Sequence, residues 1–334
     1  MKNHYKKLIN IVSSFDGAKI VVVGDLVLDR FWFGNVQRIS REAPVPIVKL
    51  VKTSLLPGCC ANTASNIASL SGIPILVGIV GEDREGKELL NILENLGAKT
   101  RYVLQEKGWR TPTKTRILAG TSHGPKQQLV RVDSGENPSF KKEGVEEIKK
   151  SLKRAIKETD FVIISDYGYG FCESCDLLSL LKGKVVAVDS RFNLGSFCGA
   201  TTATPNEEEF EKEIGKEIPK DNKQFYKEGE NLRRRLNLEA LLVTRGSKGM
   251  ALFERNKKPL EIDIVGKDEV VDVTGAGDTV ISSYILSLSK GADFAESANI
   301  ANVAGGIVVQ KPGTATVSRE ELIKQIELWG KGKI

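Results

Sequence analysis

A glycine-rich turn near the end of the chain combines small residues with an acid in a pattern that could bind an anion. In "VVDVTGAGDTVISSY", residues 270–284, Gly275, Ala276 and Gly277 lie between a β-branched run and an apolar run that begins at Asp278. Their backbone N–H groups could converge at the start of a helix, where the macrodipole supplies about half a positive charge. Asp278 could act as a base at this site, or its charge could merely stabilise the first helical turn.

The same turn could instead belong to a dinucleotide-binding motif. That motif needs Gly-x-Gly-x-x-Gly directly after the first strand of the fold, with an acid about 20 residues further on. Here Gly277 is followed by "DTV", and the turn lies late in the sequence. The residues therefore favour an anion site, with Asp278 beside it, over a dinucleotide site.

The segment "TPNEEEF", residues 204–210, could serve the magnesium end of a nucleotide. Asn206 and Glu209 are three positions apart, on one face of a starting helix. Their amide and carboxylate could hold water around a magnesium ion bound to triphosphate oxygens. The same spacing is also the capping-box pattern, in which Asn206 caps the helix and Glu209 reaches back to it. The sequence leaves both interpretations open.

Two other segments have both a binding and a structural interpretation. "VTRGSKGM", residues 243–250, joins two predicted strands through a glycine-rich turn that could border a nucleotide or be an ordinary hairpin. In "LLPGCCANTASNIASLSG", Gly58 precedes a predicted helix with Asn62 and Asn66 on one face. These groups could bind sugar hydroxyls through amides, or could belong to a turn followed by an amphipathic helix.

The composition is that of a folded α/β protein. The chain has 334 residues, of which 40% are hydrophobic and 28% are charged, and its formal net charge is +6. The basic clusters are scattered and no nucleic-acid-binding signature accompanies them, so nucleic-acid binding is not expected. The N-terminus lacks the apolar core of a signal peptide and no run is long enough to span a membrane. With five cysteines, an odd number, these features predict a cytoplasmic protein.

Short β-branched runs alternate with polar, helix-forming segments along most of the chain. This alternation predicts a mainly parallel sheet with helices on both faces. The first strand, within residues 18–29, is expected to deliver Asp25 and Asp29 at its carboxyl edge, where ligands bind in such sheets. Residues 31–54 and 111–132 instead alternate apolar with polar positions, which predicts a small separate sheet that could form a lid.

The order of these motifs resembles the ribokinase-like (PfkB-type) sugar kinase family over essentially the whole chain. The resemblance rests on "GDLVLD", "PGCCANTASNIASL", "TPNEEEFE", "DVTGAGDT" and "ANVAGGIVVQKPGTATVS". Within the family, "GDLVLDRFWFGNVQRISREAPVPIVK", "QQLVRVD" and "GTATVS" are similar to the kinases of D-glycero-β-D-manno-heptose 7-phosphate. The resemblance implies a single ribokinase-like α/β domain over residues 1–334, ATP-dependent phosphorylation of a sugar hydroxyl, and a lid that forms a homodimer.

The resemblance also implies a role for each matching residue. Asp278 would be the catalytic base, and Gly275, Ala276 and Gly277 would form the anion hole. Asp272 and Thr274 match positions that hold a monovalent cation, potassium, in some members. The nucleotide and its magnesium ion would be bound by Asn206, Glu207, Glu208, Glu209, Thr244, Gly246, Gly249 and Asn302. The sugar would be contacted by Asp29, Gly58 and Asn62. A phosphorylated sugar also needs cations, and Arg38, Lys114 and Arg131 of the lid segments are the candidates for its phosphate group.

Two features depart from the heptose kinases, and both fall on the sugar side. Cys59 follows Gly58 where those enzymes usually have a second glycine, and Arg41 stands where they typically have proline. The chain ends at Ile334, which leaves no room for a nucleotidyltransferase domain, so that activity is expected of a separate protein.

A pair of cysteines in "CESC", Cys172 and Cys175, could bind a metal. A zinc site needs about four ligands, and the sequence offers only His4, His123 and the Cys59–Cys60 pair to complete it. Reduced cysteines without a metal are therefore expected.

Overall fold

The structure is a computed structural model that describes residues 2–121, 124–135, 142–218, 221–265 and 270–332. The strands, in chain order, are β1 (Lys19–Gly24), β2 (Leu26–Ile39), β3 (Pro46–Cys59), β4 (Ile73–Gly81), β5 (Lys99–Glu106), β6 (Thr113–Gly120), β7 (Gln127–Ser134), β8 (Phe161–Asp166), β9 (Val185–Ser190), β10 (Thr202–Ala203), β11 (Ala240–Thr244), β12 (Met250–Glu254) and β13 (Leu260–Ile262). The helices are α1 (Lys2–Ser13), α2 (Cys60–Ser69), α3 (Arg84–Asn95), α4 (Lys142–Ala155), α5 (Phe171–Ser174), α6 (Leu177–Leu180), α7 (Glu207–Ile214), α8 (Asn222–Arg235), α9 (Ala276–Ser289), α10 (Phe294–Val308) and α11 (Arg319–Gly330).

The large sheet has the order β13-β12-β11-β10-β9-β8-β1-β4-β5 among the described residues. The seven strands from β11 to β5 are parallel to their neighbours, and β12 and β13 are antiparallel. Successive side chains of β1 face opposite sides, so Ile20 and Val22 join one apolar core while Val21 and Val23 join the other. The predicted mainly parallel sheet with helices on both faces is confirmed, because only such a sheet buries both faces of its strands.

The small sheet has the order β3-β2-β6-β7, and we use "small sheet" for these four strands. It confirms the predicted separate sheet but begins earlier in the chain, because β2 pairs with β3 from Leu26↔Cys59 onward. The chain therefore leaves the large sheet at Asp25. Asp29 lies inside β2, so the expectation that the first strand delivers Asp29 at its edge was wrong, since the apolar alternation continues past Gly24 into a new sheet.

The helix that follows the glycine-rich turn is buried, and its polar side chains form hydrogen bonds inside the molecule. Helix α9 packs between α2 and α10, and its side chains from Asp278 to Ser287 are buried. The burial places the first turn of α9 beside the first turn of α2 inside the molecule. In the parts of the chain that the structure describes, no helix combines the length and the apolar character required to cross a bilayer.

Candidate active site

The carboxylate of Asp278 receives three hydrogen bonds inside the protein. Thr63 Oγ1 donates to Oδ1 at 2.6 Å, Asn62 Nδ2 donates to Oδ2 at 2.7 Å, and the Tyr167 hydroxyl donates to Oδ1 at 3.1 Å. Burial raises the pKa of Asp278 to about 6, with the nearby Asp29 acting in the same direction and the three donors acting against it. The group is thus ionised near neutral pH and has a pKa that suits a general base.

The turn before Asp278 has the conformation that an anion site requires. Gly275 has φ +79°, and an added Cβ would lie 2.8 Å from the Asn62 amide nitrogen, so the turn depends on glycine for conformation and for space. Gly277 has open space around it, because the nearest atom to an added Cβ is an Asp189 oxygen at 4.0 Å. The Ala276 N–H donates to the Val273 carbonyl at 3.2 Å, and the first N–H groups of a helix have no partner within the helix itself.

A groove with a volume of about 1010 Å³ runs from this turn across the carboxyl ends of the large sheet. Every residue predicted to bind the nucleotide lines it, namely Asn206, Glu207, Glu208, Glu209, Thr244, Gly246, Gly249 and Asn302. The predicted anion-hole residues, Gly275, Ala276 and Gly277, line the same groove, as does Asp278. The tertiary fold thus gathers segments that are up to 100 positions apart in the sequence.

The hairpin after β11 and the helix α10 shape the far part of the groove. Gly249 has φ +74°, and an added Cβ would lie 2.1 Å from the Ile262 carbonyl oxygen, so glycine is required there. The Asn302 amide donates to the Asp263 carbonyl at 2.7 Å, which ties α10 to the segment after β13. The hairpin interpretation of residues 243–250 is confirmed, because β11 and β12 are antiparallel neighbours.

The segment 204–210 forms the capping box, so that interpretation is confirmed. Asn206 Oδ1 accepts the Glu209 N–H, and Glu209 Oε2 accepts the Asn206 N–H, both at 2.9 Å. The two acids between them are engaged with cations. Arg245 lies 3.1 Å from Glu207, and Lys212 lies 2.9 Å from Glu208.

The oxygen atoms at this end of the groove fit a magnesium ion carried by a nucleotide. Glu209 and Asp189 both line the groove, and burial raises the pKa of each carboxyl. The hydroxyl oxygen of Thr204 also lines it and is buried without a hydrogen-bond partner in the structure. Carboxylate and hydroxyl oxygens are the ligands that Mg²⁺ prefers, directly or through water. The capping box leaves Oε1 of Glu209 available for that purpose.

Asp272 and Thr274 lie at the start of the turn. Asp272 Oδ1 accepts the Thr274 N–H and Oδ2 accepts the Gly313 N–H, each at 2.9 Å. Burial alone would raise the pKa of Asp272, but these hydrogen bonds have the larger effect and hold that pKa below its usual value. The ionised carboxylate holds the turn against the loop after α10, while Thr274 lines the groove.

The small sheet brings an ion pair to the other side of Asp278. Arg116 Nη1 lies 2.8 Å from Asp29 Oδ1, and both side chains are largely buried. A Cβ at Gly58, opposite Val27 in the sheet, would lie 2.9 Å from the Asp29 carboxyl carbon. Gly58 therefore leaves the space that the Asp29 carboxylate occupies. This gives a steric reason for a glycine beside the polar groups at this position.

Lys114 occupies the space between the small sheet and Asp278. Its Nζ lies 3.2 Å from Cys59 Sγ and sits over the rings of Tyr167 and Tyr169, at 5.7 and 5.5 Å from their centroids. Burial raises the pKa of the Cys59 thiol to about 12, so the sulfur stays neutral. The backbone of Cys59 has φ +53°, a region that favours glycine.

Three residues that the sequence offered as sugar contacts are exposed or have another partner in the structure. Arg38 is exposed and stands nine positions beyond Asp29 on β2, on the order of 30 Å away. Arg131 is exposed on β7, with its guanidinium 2.8 Å from Asp133. Asn66 is fully buried and accepts a hydrogen bond from Thr279 at 2.7 Å. The binding roles of Arg38 and Arg131 stay predictions, whereas Asn66 joins α2 to α9.

The sequence pattern missed two residues of the site, Thr63 and Tyr167, which both donate to Asp278. Asp189, at the end of β9, was expected among the acids at the carboxyl ends of the strands, and it faces Gly277. Tyr167 follows β8, so the same rule could have found it. Thr63 lies next to Asn62 on a helix, and only the packing of α2 against α9 reveals its contact.

Of the cysteine pair, Cys172 lies near the buried acids Asp25 and Asp166. Cys172 and Cys175 are both buried thiols that belong to an apolar cluster. Within the described ranges, no three His, Cys, Asp or Glu side chains are arranged to hold a metal ion. His123, which the sequence offered as a further ligand, lies outside the described residues.

The fold is shared with ribokinases and related sugar kinases. The structure of Arabidopsis thaliana ribokinase complexed with ribose and ATP matches with a TM-score of 0.70, 21% identity, and coverage of 93% of this chain and 99% of that one. Phosphofructokinase-2 from Escherichia coli, in a complex with potassium, matches with a TM-score of 0.73, 15% identity, and coverage of 95% and 99%. These likenesses define the protein as one with a ribokinase-like fold.

The family follows from the sequence comparisons. Residues 18–180 and 197–321 match the model of the pfkB family carbohydrate kinases. The chain is 41% identical over 315 residues to the bifunctional protein HldE of Haemophilus influenzae (strain PittGG). The matched residues cover 93% of this chain and 64% of that protein. It is 40% identical over 320 residues to the bifunctional protein HldE of Shewanella baltica (strain OS185), with coverage of 94% and 65%.

The chain belongs to the pfkB family of carbohydrate kinases, which confirms the resemblance carried by the motifs. It is therefore a phosphotransferase that acts on a sugar hydroxyl. The chain spans about 64–65% of the length of the curated relatives that it matches.

Proposed function

We propose that this kinase transfers the γ-phosphoryl group of ATP to the anomeric hydroxyl of D-glycero-β-D-manno-heptose 7-phosphate, giving the 1,7-bisphosphate for a nucleotidyltransferase. The observation that carries the proposal is the position of Asp278, at the junction between the groove and the buried charges of the small sheet. The 40–41% identity to bifunctional HldE proteins supports the choice of the heptose phosphate.

The chemistry follows from the positions of the residues around Asp278. Its carboxylate takes the proton of the sugar hydroxyl as the oxygen attacks the γ-phosphorus, and the leaving ADP keeps the bridging oxygen. The charge on the transferred group is spread over three oxygens, and the N–H groups of Gly275, Ala276 and Gly277 stabilise it at the start of α9. The donors Asn62 and Thr63 hold the base in place while this happens.

Two cations are proposed to accompany the nucleotide. Magnesium would be held through the oxygens of Glu209 and Asp189 at the groove end, partly through water, and would neutralise charge on the triphosphate when bound. Potassium would be held near Asp272 and Thr274, whose carboxylate is already ionised. Both assignments follow the family resemblance, and the donor types around the groove support them.

The charges of the small sheet support a phosphorylated sugar. Lys114 and Arg116 are two positions apart on β6, so their side chains share one face of the sheet. Arg116 is paired with Asp29, whereas the Lys114 ammonium lies against a neutral thiol and two aromatic rings. The charge of Asp29 also acts on Lys114, but among the described residues Lys114 forms no ion pair with an acid, so we assign Lys114 to the sugar phosphate group and Asp29 to a sugar hydroxyl.

The runner-up is a kinase of another sugar on the same machinery. Cys59 favours this alternative, because its side chain fills space beside Lys114 in a backbone conformation that favours glycine. A non-catalytic binding module is less well supported, since Asp278 and its donors are all present.

The small sheet is also proposed to form a homodimer. Its exposed apolar side chains are Trp32, Val36, Ile39, Ile47, Leu50, Val51, Leu129, Val130 and Val132. An exposed apolar surface of this extent on a sheet is typical of an interface. A second copy of the chain would cover it.

The proposed function is tested by measuring ADP release over a panel of sugars with and without a phosphate group. Heptose 7-phosphate is expected to give the highest kcat/KM, and ³¹P NMR of the product should show a phosphate on the anomeric carbon. The Asp278→Asn variant should bind ATP and lose turnover. Preference for an unphosphorylated hexose would contradict the heptose assignment, and full activity of the variant would contradict the role of Asp278.

A further inference from the structure

One donor to the base comes from outside helix α2. Asn62 and Thr63 belong to α2, whereas Tyr167 belongs to the turn after β8. Its hydroxyl donates to Asp278 Oδ1 at 3.1 Å, and its ring forms part of the groove wall. The same ring lies under the Lys114 ammonium. Tyr167 therefore contacts the base from the groove side and the small sheet from the other side.

The number of donors on each oxygen of Asp278 decides which oxygen can accept a proton. A carboxylate oxygen has about two good acceptor positions. Oδ1 accepts from both Thr63 and Tyr167, whereas Oδ2 accepts from Asn62 alone. The remaining acceptor position is on Oδ2, so the sugar hydroxyl can reach the base there without displacing a protein donor.

The turn that carries Tyr167 is fixed by a second buried acid. Asp25 Oδ2 accepts the N–H of Tyr167 at 2.8 Å and the N–H of Tyr169 at 3.2 Å. Gly168, between them, has φ +75°, and its N–H donates to Asp166 at 3.2 Å. Asp25 is only 3% exposed, so these bonds form in a region of low dielectric, where they are strong. The phenol is thus held in place before any ligand binds.

We propose that Tyr167 is a positioning residue for phosphoryl transfer, whose phenol keeps the Asp278 carboxylate ionised and leaves Oδ2 as the oxygen that takes the proton. This inference rests on the role of Asp278 as the base, and it does not depend on which sugar is the substrate. The phenol's hydrogen bond to Oδ1 is stronger when the carboxyl group is ionised than when it is protonated, so its loss makes protonation of Asp278 easier.

Other groups face Asp278 and must be the same in any comparison. They are Asp29 from β2, Cys59 from the end of β3, Cys60 from α2 and Asp189 from β9. Burial raises the pKa of both thiols, so neither is charged near neutral pH. Asp189 and Asp29 are unchanged in a Tyr167 variant, so a difference between wild type and variant reports the phenol.

The first test follows the Asp278 carboxyl directly and needs no turnover. The protein is labelled with ¹³C at the aspartate carboxyl carbons, and the Asp278 resonance is identified by its loss in Asp278→Asn. In wild type its titration midpoint is expected near pH 6. In Tyr167→Phe the midpoint should rise by about one unit, as expected for the loss of one hydrogen bond to the charged form. An unchanged midpoint would overturn the proposal.

The second test uses kcat against pH with the best sugar of the panel. Tyr167→Phe should shift the acid limb upward by the same amount, which lowers the rate about tenfold on that limb, and leave the KM of ATP unchanged. Tyr284→Phe is the matched control, because Tyr284 is a buried tyrosine of α9 whose hydroxyl lies 3.4 Å from Thr202. Both variants use the same substrate, so titration of its phosphate cancels in the comparison.

The outcomes separate the two proposals. If heptose 7-phosphate is not turned over, the proposed function fails while the carboxyl titration still decides the role of Tyr167. If Tyr167→Phe lowers kcat equally at all pH values, or if Tyr284→Phe shifts the limb as much, the phenol has only a structural role and the inference is wrong.

Discussion

Asn62 Nδ2 donates a hydrogen bond to Asp278 Oδ2 at 2.7 Å, although the two residues are 216 positions apart in the sequence. The bond joins the first turn of α2 to the first turn of α9. An added Cβ on Gly275 would lie 2.8 Å from the same amide nitrogen, so the turn, the base and α2 pack as one unit. The proposed base and the proposed anion site therefore have a fixed relative position, which phosphoryl transfer requires.

The acid limb of the rate profile should report Asp278. Burial raises its pKa to about 6, and only the ionised form accepts a proton, so kcat is expected to fall tenfold per unit below about pH 6 and to level off above it. Asp278→Asn should lower kcat by about 10²–10⁴ and abolish the limb. The measurement is steady-state kinetics between pH 5 and 9, with ATP binding of the variant measured calorimetrically as a control for folding. A limb that persists in the variant would assign it to another group.

Gly277→Ala should separate the anion site from the stability of the fold. An added Cβ meets no atom closer than 4.0 Å, and alanine is the better helix former, so the free energy of unfolding should be unchanged or about 0.5–1 kcal/mol higher. The methyl group would nevertheless occupy the space in front of the first N–H groups of α9, so the KM of ATP should rise or kcat should fall at least tenfold.

Gly275→Ala is the matched comparison for Gly277→Ala. Its φ of +79° and its 2.8 Å approach to Asn62 predict a loss of stability as well as of activity. Urea unfolding and kinetics of both variants make the test. If Gly277→Ala retains full activity, the phosphate does not approach this turn.

Lys114→Met should affect phosphorylated sugars only. Removing the ammonium while keeping most of the side-chain length should raise the KM of a sugar phosphate about 10- to 100-fold, as expected for a hydrogen bond to a charged group. The KM of ATP should not change. Lys126→Met is the control, because Lys126 contacts Asn35 and the Thr121 carbonyl at the edge of the small sheet. Equal effects on a sugar and on its phosphate would contradict the assignment.

Cys59→Gly should cost less stability than Cys60→Gly, although both remove a buried thiol. Cys59 has φ +53°, and relief of that conformation is worth roughly 1 kcal/mol or more, whereas Cys60 begins α2 and gains no such relief. The free energies of unfolding in urea give the difference directly. Two equal losses would show that the backbone at Cys59 carries no strain.

Two polar substitutions on the small sheet should produce monomers if that sheet forms a homodimer. Ile39 and Val51 are 60% and 65% exposed in the single chain, so Ile39→Lys and Val51→Lys should not disturb the fold of one copy. Sedimentation equilibrium is expected to show a dimer for wild type and a monomer for the double variant. Leu96→Lys, at an exposed position directly after α3 and outside the small sheet, is the control. A monomeric wild type at micromolar concentration would contradict the dimer.

The class of fold and much of the groove could be predicted from local patterns in the sequence. β-branched runs separated by polar helices predict a parallel sheet, because strands buried on both faces have no polar positions. Asn206, Glu209 and the glycine turns of the groove have local signatures, whereas Asn302, which lies inside α10, was assigned only through the resemblance to the sugar kinase family. The small sheet was found from its alternation, except for its start, since nothing local marks the change of sheet at Asp25.

The side chains that surround Asp278, and the cations near it, could not be predicted from such local patterns. Thr63 and Tyr167 contact Asp278 through the packing of α2 and the turn after β8 against α9, and such contacts between distant segments leave no spacing in the sequence. The sequence alone does not distinguish the arginines of the small sheet from one another. Strand register places Arg116 beside Asp29 and leaves Arg38 exposed far along β2. Strand register and helix packing depend on which side chains are buried across the whole molecule. A short segment of sequence does not carry that information.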